Sequence, residues 1–70
     1  MNKNNIKEMV GNICEYIEEL VEKDELNQVE YGELLGYTSA LAVIKSACMG
    51  YDLSEIGLDF DIDEKYLSNI

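Results

Sequence analysis

The sequence predicts an all-α fold: an antiparallel two-helix hairpin with a short extended or helical C-terminal tail, assembled as a homodimeric helical bundle. Three observations predict it. Apolar residues recur at alternating steps of three and four along two long stretches, and a polar turn, Asp24 to Asn27, separates the stretches. The second stretch is apolar on two faces at once, more than a chain of 70 residues covers by itself. The whole chain, 1–70, is therefore expected to form one small helical domain.

Helix 1 is expected from about Asn5 to Lys23. Ile6, Val10, Ile13, Ile17 and Leu20 form one seam, broadened by Met9, Cys14, Tyr16 and Val21, while Glu8, Glu15 and Glu22 fall on the opposite face. Gly11 lies off that seam, and nothing in the sequence explains it.

Asn27 is placed to cap helix 2, with Glu30 three residues later to reach back as a capping box. Helix 2 is expected over 28–49, with Gly50 ending it in a left-handed conformation. Between Leu34 and Tyr51 the only charge is Lys45. Leu34, Tyr37, Leu41, Ile44, Cys48 and Tyr51 form a bulky stripe, and Gly32, Gly36, Ser39, Val43, Ser46 and Gly50 form a second stripe of mostly small side chains. Each interior glycine weakens a helix by about 0.8 to 1 kcal/mol relative to alanine, so two of them four apart imply a compensating close approach. The expectation is that the bulky stripe takes helix 1 and the small stripe meets its symmetry mate.

The tail, 52–70, is expected to begin with one turn over Leu53 to Ile56, capped by Asp52 with Glu55 and ended by Gly57. Leu58, Phe60 and Ile62 then alternate with Asp59, Asp61 and Asp63, the period of a strand with one wet face. With no partner strand in the chain, the segment either pairs across a dimer or lies as an extended arm on helix 2. A last helix is expected from about Asp63 to Ser68.

So small a domain usually needs a staple. The chain has no His, and its two cysteines, Cys14 and Cys48, have no zinc-site spacing. In the hairpin register Cys14 is level with about Thr38, roughly ten residues and about 15 Å along the axis from Cys48, too far for a disulfide. Two free thiols fit a reducing cytoplasm, and oligomerisation is left as the staple.

Acidic residues number 15 against 5 lysines, a net charge of −10. Nucleic acid and anionic membrane are thereby disfavoured as direct partners. Met1 to Asn5 lacks an apolar signal region, and the string Lys23-Asp24-Glu25-Leu26 is internal, where a retention signal is not read. Gly32 and Gly36 match a membrane-helix dimer pattern, but Lys45, Thr38, Ser39 and Ser46 oppose a span.

Chemistry finds little to work with. Asp59, Asp61 and Asp63 open like a calcium loop, yet Glu64 occupies the glycine position and Ile70 the bidentate-glutamate position. Cys14, Cys48, Thr38, Ser39 and Ser46 have no histidine base, and Glu18 and Glu19 point to different sides of a helix. Lys45 is expected to lay its stem along the helix and send its ammonium to water or to a helix 1 carboxylate. No catalysis, metal or cofactor is therefore expected.

The functional expectation is a small acidic cytoplasmic protein–protein interaction module, regulatory or adaptor-like, acting as a homodimer on an unidentified protein. Its acidic surface is Glu15, Glu18, Glu19, Glu22, Asp24, Glu25, Asp59, Asp61 and Asp63. The alternative is an acidic inhibitor that mimics nucleic acid at a DNA- or RNA-binding enzyme, of the anti-restriction or anti-CRISPR kind carried by phages and mobile elements.

Overall fold

The structure, a computed structural model, describes residues 2–68. Helices α1 (Lys3–Val21) and α2 (Gln28–Ala47) form the hairpin, followed by a 3-10 turn (Leu53–Ile56) and a short α3 (Ile62–Tyr66). The result is a rod of 36 × 19 × 16 Å.

Helix α1 begins two residues earlier than the periodicity predicts, because the Asn2 side chain caps it by accepting from the Asn5 amide at 2.9 Å. Its seam is the predicted one: Ile6, Val10, Ile17 and Leu20 are buried, with Ile13 and Cys14 half-buried beside them. Met9, Tyr16 and Val21, expected to broaden the seam, lie at its edge, 38 to 53% exposed.

The Asn27–Glu30 capping box forms in both directions at 2.8 and 3.2 Å. Helix α2 ends at Ala47 rather than Met49. The Cys48 amide there is shared between the Ile44 and Lys45 carbonyls, and the Tyr51 amide bonds the Cys48 carbonyl to turn the chain. Gly50 is not the left-handed cap that was expected. The one glycine with positive φ is Gly57, at 81°, which closes the 3-10 turn as predicted.

No strand exists among the described residues; the segment from Leu58 to Asp61 is an irregular arm that bends at Phe60. The predicted alternation holds: Leu58 and Ile62 are buried and Phe60 is half-buried, while Asp59 and Asp61 face water. A single arm has no edge to pair with, so burial against the hairpin replaces the ladder. Asp61 accepts from the Glu64 amide and starts α3 one residue before the expected helix, whose end the structure places at Tyr66. Ile70, the last position tested for a calcium loop, lies outside the described residues.

The 3-10 turn packs on α1 and α3 packs on α2, so the tail crosses the groove of the hairpin. Ile17, Leu34, Leu41, Ile56 and Leu58 are its fully buried side chains, each contributing about 1.5 to 3 kcal/mol of apolar burial. The tail supplies two of those five, which makes it part of the core.

Candidate functional site

The core takes only one side of α2. Leu34, Thr38, Leu41 and Cys48 are buried, Tyr37 and Ile44 are half-buried, and Tyr51 lies beyond the helix, 51% exposed. Thr38 remains satisfied inside by donating to the Leu35 carbonyl at 3.1 Å.

The second stripe is uncovered. Gly32, Gly36, Ser39, Val43, Ser46 and Gly50 are all exposed, Val43 by 68%, and Gly50 falls past the helix end, so the helical stripe stops at Ser46. A Cβ placed on Gly32 or on Gly36 meets nothing within 4 Å. Within one protomer, therefore, neither glycine is there to permit a close contact. Val29, at 70%, and Leu35, at 39%, widen the exposed apolar area.

Lys45, the one charge on this stretch, goes elsewhere than expected. Its ammonium donates to the Phe60 carbonyl at 2.6 Å, tying the tail to α2, and forms no ion pair with a helix 1 carboxylate. Helix α2 thus leaves its outer face without any charge from Leu34 to Ala47.

The acidic residues singled out from the sequence are all exposed: Glu15, Glu18 and Glu19 on α1, Glu22 at its C-cap, Asp24 and Glu25 in the turn, Asp59, Asp61 and Asp63 on the tail. They belong to separate elements rather than one cluster, and Asp61 is engaged as a helix cap. Two ion pairs occur among the described residues, Lys3 with Glu55 and Lys23 with Glu30. The Lys23 ammonium and the Asn27 amide hold the Glu30 carboxyl below its ordinary value, and Ser54 does the same for Asp52.

Two features were not anticipated. Tyr16 and Tyr37 stack across the α1–α2 seam with centroids 5.5 Å apart and planes 14° from parallel, Tyr16 being 53% exposed. The register that places Cys14 level with Thr38 also brings Tyr16 level with Gly36 and Tyr37, so the signal was present in the hairpin itself. Tyr66 is buried with its hydroxyl lacking any hydrogen-bond partner, beside Cys14 and Glu18. Burial first, and then these two neighbours, push its phenol far above the ordinary value of 10.0. Nothing in the sequence marks Tyr66 as the tail residue that reaches α1.

A cavity of about 420 Å³ opens where α3 stops short of the hairpin turn, lined by Leu20, Val21, Leu26, Tyr31, Lys65 and Tyr66 among others. The Lys65 ammonium sits over the Phe60 ring, 4.5 Å from its centroid. Among the described residues no group of three or more Cys, Asp or Glu gathers as a metal site, and both cysteines are free. No helix among the described residues is long and apolar enough to cross a membrane. Comparison with protein-family models, with curated proteins and with solved structures finds no match to this chain.

Proposed function

We propose that this chain is a small, non-catalytic interaction module that self-associates through the outer face of α2 and presents its acidic surface to a partner protein. One observation carries the self-association: Gly32, Gly36, Ser39, Val43 and Ser46 form an exposed, charge-free helical face, with open space where both glycines lack a Cβ. Two glycines in a helix cost about 2 kcal/mol against alanine, and a second copy meeting that face is a use that offsets the loss. Two free thiols fit a reducing cytoplasmic setting.

Gly36→Leu tests the reading. Because position 36 is exposed and a Cβ there meets nothing within 4 Å, the variant keeps its helical circular dichroism, and its sedimenting mass falls from dimer to monomer. Wild-type chain that sediments as a monomer at about 0.5 mM, a concentration at which even a weak dimer assembles, refutes the reading.

The nucleic-acid-mimic alternative draws on a separate observation, the 15 acids of which Glu30 and Glu55 alone have ion-pair partners among the described residues. It requires binding to a basic nucleic-acid enzyme that DNA or RNA displaces.

A further inference from the structure

We infer that the stacked Tyr16–Tyr37 pair, with Glu19 and Glu33 beside it, receives an arginine side chain from a basic partner protein. The inference deepens the interaction-module reading by naming what the acidic surface takes, and it does not depend on self-association.

The aromatic pair anchors the argument. Tyr16 is 53% exposed yet held against Tyr37 at 5.5 Å in near-parallel planes, so it offers water a ring face already fixed in position. Exposed, pre-ordered tyrosines are the side chains that carry binding energy at interfaces, because little rotamer freedom remains to be lost. Glu19 lies one turn from Tyr16 on α1, and Glu33 lies one turn from Tyr37 on α2. The helices are antiparallel, so both carboxylates fall on the turn side of the ring pair.

Lys23, at that same end of the hairpin, has its ammonium held above its ordinary value by Glu30 first and, after the opposing effect of burial, by Glu33 and Glu19. Its ion pair is with Glu30. Glu19 and Glu33 have no ion pair among the described residues. A stacked ring pair with an unneutralised carboxylate one turn away on each helix fits a planar cation that stacks while donating two parallel hydrogen bonds, which is guanidinium rather than ammonium.

The test titrates the full 15N-labelled chain with an eight-residue arginine–glycine peptide and, separately, with its lysine–glycine counterpart of equal charge. Expected are amide shifts centred on Tyr16, Glu19, Glu33 and Tyr37, with the arginine peptide bound about three- to tenfold more tightly. Tyr16→Leu keeps the amide spectrum of the fold and brings that ratio to about one, leaving charge attraction; Glu19→Gln with Glu33→Gln weakens both peptides. Equal affinity for the two peptides overturns the inference. So do shifts spread evenly over the other acidic residues, or a preference that survives Tyr16→Leu. None of these readouts moves if the chain is a monomer, so failure here is distinct from failure of the α2 dimer.

Discussion

Replacing Gly32 and Gly36 together by alanine gives an effect whose sign depends on concentration. In an isolated protomer each added methyl enters open space, since nothing lies within 4 Å of either position. Each substitution then stabilises the helix by about 0.8 to 1 kcal/mol, roughly 1.6 to 2 kcal/mol for the pair. For a domain of this size that raises Tm by about 6 to 16 °C. In a dimer packed on this face the same methyls separate the two α2 helices and weaken association, so the gain shrinks as the chain is concentrated. The assay is thermal melting by circular dichroism from about 1 µM to 0.5 mM, with sedimentation equilibrium over the same range. Gly57→Ala is the control: at φ 81° and 3.8 Å from Val10 Cγ1, it costs about 1 to 2 kcal/mol at every concentration. An equal rise in Tm across the range, with association unchanged, refutes the role given to the glycines. A fall in Tm at 1 µM would refute the open space itself.

Three further outcomes are expected. Lys45→Met removes the donor to the Phe60 carbonyl while keeping the stem; it should cost about 1.5 kcal/mol, the low end for a charge-assisted bond because the site is half-buried, and speed amide exchange at 58–66 more than in the hairpin. Tyr66→Phe removes a buried, unpartnered hydroxyl and should leave stability equal or about 1 kcal/mol higher at pH 7. Because the native phenol lies above its ordinary 10.0, the Tyr66 contribution to stability is complete below pH 10 and declines above it, and the variant should lose part of that decline in Tm–pH profiles. Glu30 has the opposite sign: held below its ordinary 4.5, it contributes stability present above that value and lost as pH falls through its native one. Glu30→Gln keeps the capping box and should flatten the acid-side change at the Asn27 amide; a change as steep as wild type would show that Glu30 does not drive it.

Much of the fold was legible because helical periodicity and capping are local. Ile6 to Leu20 mark the buried side of α1 by spacing alone, and Asn27 with Glu30 fixes the start of α2. Asp52 and Gly57 bracket the 3-10 turn for the same reason. What was left open or failed was decided at a distance. The period of Leu58, Phe60 and Ile62 is shared by a strand and by any arm with one side buried, and only the absence of a pairing edge separates them. Lys45 found a backbone carbonyl fifteen residues away, a partner that no spacing rule anticipates. Gly50 was given the left-handed role on position alone, although Cys48, 6% exposed, already ends α2 by turning into the core. The acidic surface was legible as charge but not as arrangement, because which glutamates share a neighbourhood depends on the hairpin register.

That register also answers the objection that a chain of net charge −10 should not bind itself. Packed helices lie about 8 to 10 Å apart. A dimer formed through α2 therefore orders four helices as α1, α2, α2, α1, with the two α1 axes about 25 to 30 Å apart, several times the Debye length of about 8 Å at physiological salt. The glutamates of α1 then face outward and scarcely sense the opposing copy. Across the contact itself stand Gly36, Ser39, Val43 and Ser46, which carry no charge. Self-association should accordingly change little between about 0.15 and 0.5 M salt, while binding of a basic partner to Glu19 and Glu33 should weaken steeply. If the two responses track each other, both contacts use the acidic surface, and the charge-free face of α2 is not where the copies meet.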